Sequence, residues 1–366
     1  MTTIEVGAGR VLVGSALDRL GELAPGSVQA CITSPPYWGL RRYGDDDAEL
    51  GKEPTVDEYV THLVGVFALV RRALDSTGTL WLNLGDAYCR AGGRGGGFGA
   101  TSEAHAAHRR ANGEDPARWA ERRNGLRSHR RYPQRAAWGN TPEKGLVGLP
   151  WRVAFALQAS GWVWRATLPW VRRNAMPESV RDRPVAATEY VLMFAASGET
   201  YYDADAVRVP AVSHARPPTT QGRREIVGRW NDGLKRPAGD YARHEGGRLW
   251  RNADPFVASL DPAFQGLVLD DDGTPLAVVT NVAPSGTEHV APFPPRLIDP
   301  LVRVSTRPHD VVLDPFVGSG TTALVAQRRA RRWIGVELYP NVAEGAARRV
   351  REDVEASQMA LPWEVA

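Results

Sequence analysis

The most restrictive stretch of this 366-residue chain runs from Val311 to Glu337. Val311-Val312-Leu313 is a short apolar run, Asp314 to Gly320 is a loop with glycines at 318 and 320, and Thr321 to Arg329 begins a helix directly. Trp333 to Val336 is apolar again, with Glu337 at its end. Strand, glycine turn, helix and strand in so short a space is the unit of a parallel sheet, whose neighbouring strands need a crossover. The same unit recurs upstream. Val28 to Ile32 reads as a buried strand, and Thr55 with Glu58 forms a capping box. That box opens a helix whose Val56, Tyr59, Val60, Leu63, Phe67, Val70 and Leu74 share one face; Gly78 closes it and Thr79 to Leu84 is the next strand. Arg10–Gly14, Trp162–Trp170 and Val191–Ala195 read as further strands. Ala16, Leu17, Leu20 and Leu23 give a brief helical stripe, and Leu149-Pro150-Trp151 leads a helix burying Val153, Ala156 and Leu157. The expected fold is α/β, with right-handed crossovers.

Thr33-Ser34-Pro35-Pro36-Tyr37-Trp38 follows the first buried strand, where α/β proteins place chemistry. Two prolines stiffen the turn and remove backbone donors, so its carbonyls can accept from a ligand. Tyr37 and Trp38 put flat apolar surface beside those acceptors, which suits a planar base bearing an exocyclic amine. At the other motif, Gly318 and Gly320 let a ligand approach the backbone, and the helix N-terminus favours a carboxylate. Glu337 stands 23 residues after Asp314. A carboxylate at about that offset meets ribose hydroxyls in nucleotide-binding βαβ units. An NAD-type site is the alternative, but the third glycine of its fingerprint is absent.

Ser34-Pro35-Pro36-Tyr37, with Thr33 before it and Trp38-Gly39-Leu40-Arg41 after, resembles the catalytic motif of the DNA amino-methyltransferases. Asp314-Pro315-Phe316-Val317-Gly318-Ser319-Gly320-Thr321-Thr322 is similar to that family's S-adenosyl-L-methionine loop. Catalytic motif first and cofactor motif last is the permuted order of the β group. Asn174 to Pro184, continued by Glu189-Tyr190 and Tyr201-Tyr202-Asp203, resembles a family block that lies beside the target-base pocket. His289 to Ile298, with Phe293-Pro294, resembles the segment that holds the methionine end of the cofactor. The resemblance spans about Arg10–Tyr88, Leu146–Pro210 and His289–Pro340. One departure is Gly14-Ser15, where the family usually carries Gly-Asp to help hold the cofactor's adenine.

The resemblance implies a Rossmann-like methyltransferase fold: a mostly parallel twisted sheet with helices on both faces, plus irregular DNA-recognition insertions. It implies S-adenosyl-L-methionine held by Asp314, Phe316, Gly318, Gly320, Thr321, Glu337, Phe293 and Pro294, and catalysis by Ser34, Pro35, Pro36 and Tyr37, without a metal. An exocyclic amine is a poor nucleophile because its lone pair is delocalised. The Ser34 side chain and Pro35 carbonyl are the acceptors that could pull it toward tetrahedral geometry, with Tyr37 stacked on the base. In duplex DNA the base must first be flipped out. Serine at the first motif position resembles the N4-cytosine members, whereas N6-adenine enzymes more often carry Asp or Asn. A carbon-5 cytosine enzyme needs a nucleophilic cysteine after a proline, and neither Cys31 nor Cys89 follows one. Protein-glutamine methyltransferases use an Asn-Pro-Pro-Tyr turn with the opposite motif order. A catalytically silent DNA-binding protein is the non-enzyme alternative.

Charge is segregated. From Arg90 to Arg135 there are 11 arginines against 4 acids, and from Arg216 to Arg251 9 Lys or Arg against 4 acids. These segments carry +7 and +5 of a total of +3, so the remainder stands at −9 and polyanion contact falls to the two segments. The chain divides into a catalytic half at 1–88, a Gly/Arg-rich DNA-facing loop at 89–145, the rest of the target-base half at 146–210, a target-recognition region at 211–288 and a cofactor half at 289–366. Asp45-Asp46-Asp47 reads as a solvated loop, and His105 with His108 lacks a second ligand pair. Two distant cysteines support no disulfide framework, and no signal peptide or apolar span is evident, so a cytoplasmic protein is expected. The expected partner is double-stranded DNA, with no membrane. A homodimer is compatible with the sequence, and any restriction endonuclease would be a separate chain.

Overall fold

The computed structural model describes residues 2–39, 44, 46–89, 139–172, 180–207, 278–280 and 293–359. The two arginine-rich segments, the block 173–179, Asp45, His105 and His108 lie outside the described residues.

The described strands are β1 (Thr3–Val6), β2 (Gly9–Val13), β3 (Val28–Thr33), β4 (Leu74–Leu84), β5 (Val163–Arg172), β6 (Thr188–Ala195), β7 (Val278–Thr280), β8 (Val311–Asp314) and β9 (Arg332–Glu337). They form one sheet in the order β1-β2-β9-β8-β3-β4-β6-β5-β7. Pairing is parallel from β2 through β9, β8 and β3 to β4, and again between β5 and β7. Three pairings are antiparallel: β1 with β2, and β6 with both β4 and β5. The mostly parallel sheet agrees with the sequence reading. β2 matches the strand expected at Arg10–Gly14, whereas its antiparallel partner β1 had no sequence signal, and β7 comes from the region the sequence left unplaced.

Side chains alternate along each strand, so the sheet has an apolar layer on each face. One layer takes Leu80, Leu82 and Leu84 of β4 and Leu313 of β8 against α1 (Ala16–Gly21), α2 (Val56–Ala73) and α3 (Leu149–Ala159). The other takes Trp81 of β4 and Val312 of β8 against α4 (Pro295–Ser305), α5 (Thr321–Arg328) and α6 (Pro340–Met359). From β3 the chain crosses through α2 to β4 on one side; from β8 it crosses through α5 to β9 on the other. Crossovers of one hand that run in opposite directions put their helices on opposite faces. Between β3 and β8 the order reverses, and a crevice opens there beyond the strands' carboxyl ends.

Helix α2 shows how local sequence sets these elements. The Thr55 hydroxyl accepts from the Glu58 N–H at 3.2 Å, and Tyr59, Leu63, Phe67 and Val70 are fully buried along one face. The helix stops at Ala73, earlier than Gly78 suggested, and Leu74 at once enters β4. The Asp75 carboxylate accepts from Thr77 N at 2.9 Å and Thr77 Oγ1 at 2.8 Å, a local turn that competes with helix. The ladder with β3 slips there, from Val28 opposite Leu74 to Ala30 opposite Thr79. Gly78 belongs to this bulge, where a Cβ would stand 2.9 Å from the Asp75 carbonyl oxygen. Leu17 and Ala156, counted in buried stripes, are exposed and half-buried. Among the described residues no helix is long and apolar enough to cross a membrane.

Leu63 sits at the centre of the α2 face with no exposed surface. Its replacement by alanine is expected to lower unfolding free energy by about 2–5 kcal/mol, read from urea denaturation. Replacing Thr55 by alanine should cost only about 1 kcal/mol by the same measurement.

Candidate active site

The crevice is built around a hydrogen bond between the ends of β3 and β8. Thr33 Oγ1 donates to Asp314 Oδ1 at 2.6 Å, and the Phe316 N–H reaches the same oxygen at 3.1 Å. Both side chains are buried. Burial pushes the Asp314 carboxyl up to about 6, against the hydrogen bonds that favour its charged form. Asp314 therefore stands behind the turn and joins the two motifs.

The loop after β8 follows from its glycines. Gly318 and Gly320 take φ of +48° and +79°, and Gly320 caps α5 where a Cβ would lie 3.1 Å from the Ala346 Cβ of α6. Arg349 of α6 braces the loop, donating to the Ser319 carbonyl at 2.9 Å and to Thr321 Oγ1 at 3.1 Å. The Glu337 carboxylate closes the far side, accepting from Gly318 N at 3.1 Å and Tyr339 N at 3.2 Å. Burial raises Glu337 to about 7.

A cleft of ≈ 530 Å³ runs between the loop and the proline turn. Ser34 and Pro36 line it from one motif, and Phe316, Gly318 and Glu337 from the other. Gly14 and Ser15 also line it, with the Ser15 hydroxyl turned to Asp18 Oδ2 at 2.7 Å. Pro35, Tyr37, Asp314, Gly320 and Thr321 are not among its lining residues. Phe293 packs on the layer under α4, and Pro294 caps that helix; neither is among the residues lining this cleft. The opposite wall is a contribution the sequence reading missed. Glu49 is buried, accepts from the Tyr339 hydroxyl at 2.7 Å and pairs with Lys52 Nζ at 2.6 Å. No periodicity marks a residue in an irregular loop of this kind. Asp46 and Asp47, just before it, are exposed as expected. Among the described residues no group of His, Cys, Asp or Glu is set to hold a metal.

The proline turn is clamped from several sides. The Pro36 carbonyl accepts from the Tyr59 hydroxyl of α2 at 2.8 Å. Trp38, expected to offer stacking surface, is instead a core anchor: it is 1% exposed and its Nε1 donates to the Glu53 carbonyl at 2.9 Å. The Tyr37 hydroxyl donates to Glu189 Oε2 at 2.6 Å and lies 3.3 Å from Ser34 Oγ. Asn83 Nδ2 donates to Glu189 Oε2 at 3.0 Å, and Arg172 pairs with Oε1 at 3.2 Å. Burial, then the Glu189 charge, pushes the Tyr37 phenol well above its ordinary value, so it stays a donor. Asn83 and Arg172 carried no sequence signal, because neither belongs to either motif.

A family model described as DNA methylase matches residues 28–348. The chain belongs to this N6/N4 DNA methylase family. It is 36% identical over 338 residues to the Type II methyltransferase M.XycI of Xanthomonas campestris pv. cyanopsidis, covering 92% of this chain and 86% of that one. The Type II methyltransferase M.Cfr9I of Citrobacter freundii is 33% identical over 362 residues, covering 98% and 93%. Among solved structures the fold matches the PvuII DNA methyltransferase (cytosine-N4-specific) with a TM-score of 0.54, at 17% identity over 100% of this chain and 92% of that one.

Members of this DNA methylase family take their methyl group from S-adenosyl-L-methionine. The cleft suits that molecule. Bare backbone at Gly318, apolar walls from Phe316 and Val336 and the Glu337 carboxylate offer close approach, dry contact and an acceptor for hydroxyls.

The two raised carboxyls make the folded state bind protons that the unfolded chain releases. Asp314 rises from 3.8 to about 6 and Glu337 from 4.5 to about 7, so the stability they contribute is full at low pH and is lost as pH rises through those folded values. Unfolding free energy from urea titrations should fall between pH 4.5 and about 7, and fall less steeply in Glu337→Gln.

Proposed function

We propose that this chain transfers a methyl group to the exocyclic N4 amine of cytosine in duplex DNA, by base flipping and direct in-line transfer. The carrying observation is that Ser34 and Pro36 share one cleft with Phe316, Gly318 and Glu337, although the two motifs lie at opposite ends of the sequence. When bound, S-adenosyl-L-methionine supplies an electrophilic methyl group. Glu337 holds ribose hydroxyls, Gly318 and Phe316 frame the ligand, and the α5 N-terminus at Gly320 and Thr321 favours its carboxylate through the loop. Phe293 and Pro294, outside the cleft lining, are assigned to its methionine end by the family resemblance alone. Asp314 acts through the turn it fixes. Ser34 Oγ and the Pro35 carbonyl accept from the amine, Pro36 keeps the turn stiff, and Tyr37 stacks on the base.

Cytosine is favoured over adenine by Ser34 at the first motif position, and the cytosine-N4-specific name of the fold neighbour points the same way. The basic segments 90–135 and 216–251 hold the opened duplex, and a separate restriction endonuclease would cut the same unmodified site.

Nucleoside mass spectrometry of DNA incubated with methyl-labelled S-adenosyl-L-methionine should show label in N4-methylcytosine, absent with Tyr37→Ala. Label in N6-methyladenine overturns the base assignment, and no label on DNA of diverse sequence overturns the activity. Replacing Ser34 by alanine is expected to lower kcat by roughly 10²–10³, with cofactor affinity unchanged.

Hydroxyls donated to Glu337 favour its charged form. Cofactor binding should therefore release a proton and weaken as pH falls through about 7. Calorimetry in buffers of different ionisation enthalpy measures this, and Glu337→Gln should abolish the release.

A further inference from the structure

The hydrogen bonds behind Ser34 have only one consistent direction. A carboxylate can only accept, so the single hydroxyl hydrogen of Tyr37 is committed to Glu189 Oε2 at 2.6 Å. Asn83 Nδ2 donates to that same oxygen at 3.0 Å and to the Tyr37 oxygen at 2.9 Å. The Tyr37 oxygen can then only accept from Ser34, at 3.3 Å. The Ser34 hydrogen is thereby directed to Tyr37, Asn83 Nδ2 makes only a long 3.5 Å contact with Ser34 Oγ, and a lone pair of Oγ remains for whatever enters the cleft. Arg172 of β5 fixes the carboxylate from its other oxygen at 3.2 Å. Glu189 is 8% exposed and Asn83 4%, so little water is at hand to break the chain.

We propose that Glu189 is a positioning residue that sets the direction of this chain and thereby makes Ser34 an obligate acceptor for the amine of the target base. It acts through Tyr37. The groups facing Glu189 are Arg172 from β5, Asn83 from β4 and Tyr37 from the turn, with Tyr59 of α2 next to Tyr37. The inference rests on the cytosine reading above. In Glu189→Gln the Arg172 guanidinium selects the amide oxygen, which leaves the amide nitrogen facing Tyr37 and Asn83, whose Nδ2 loses that acceptor and keeps the Tyr37 oxygen. Tyr37 then accepts from glutamine and donates to Ser34, whose own hydrogen turns into the cleft. A donor would face the amine, whereas a carbonyl at the same place would be well met.

The test compares binding of two duplexes that carry the site mapped from the enzyme's own product, one with cytosine and one with uracil at the target. The protein is loaded with S-adenosylhomocysteine, so no transfer occurs. Comparing the ratio between proteins cancels the different cost of opening the two pairs. Wild type should prefer cytosine, and Glu189→Gln should shrink that preference at least about tenfold while keeping S-adenosylhomocysteine affinity. Tyr37→Phe should shrink it too, since Ser34 loses the acceptor for its hydrogen, and adding Glu189→Gln to it should change nothing more. An unchanged ratio in a folded Glu189→Gln protein overturns the inference. Should that variant fail to fold, an unchanged ratio in Tyr37→Phe does the same. Indifferent wild-type binding also overturns it, whereas N4-methylcytosine among the reaction products would leave the base assignment standing.

Discussion

A single buried hydrogen bond, from Thr33 Oγ1 to Asp314 Oδ1, decides where the chemistry can be. It ties the last residue of β3 to the last residue of β8 at the point where the sheet's strand order reverses. The proline turn leaves from one side of it and the glycine loop from the other. A carboxyl held at 3% exposure is a costly group to bury, and its hydroxyl and amide partners are what make it tolerable. Without a short acceptor at that position the two loops would have no common reference, and the distance between Ser34 and Gly318 would be set only by packing.

Around that tie, each loop is held from behind. The proline turn hangs on the Tyr59 hydroxyl, the Trp38 indole and the Glu189 cluster, and the glycine loop on Arg349 and Ala346. Tyr59, Glu189, Arg349 and Ala346 come from α2, β6 and α6, a strand of the sheet and two helices packed on it, whereas the Trp38 indole reaches the Glu53 carbonyl in a loop. Reactive groups on loops gain their precision from such rigid backing. The cleft wall from Glu49 to Lys52 is different in kind, since it is held by polar contacts between loops.

Legibility followed period and chemistry. The α2 stripe and the runs at Val28, Thr79 and Trp333 were readable because burial on one or both faces forces an apolar pattern. Ser34-Pro-Pro-Tyr and the two loop glycines stood out because few residue types suit a stiff turn or a loop at positive φ. Glu189 could be noticed only within its block, and its link to Tyr37 depends on β6 lying beside β4, which no local signal encodes. Asn83 looked like one more strand residue. Gly78 misled because a glycine after a helix and a glycine in a bulge look alike, and the choice was made by Asp75 turning the backbone three residues earlier. Trp38 misled because an aromatic beside a motif can serve the core as readily as the ligand.

The strand order has a consequence for biosynthesis. β3 is the central strand, flanked by β4 and β8, yet β8 is made about 280 positions after it. On the ribosome β3 and its turn wait with one edge unpaired while every intervening segment emerges, and such an edge invites wrong partners. The β3–β8 pairing is a long-range closure, slow by its topology. Because half of the cleft arrives with that closure, a partly synthesised chain carries the proline turn without the glycine loop that completes the cleft. The cleft is thus completed late in translation, when its second loop joins a turn made long before.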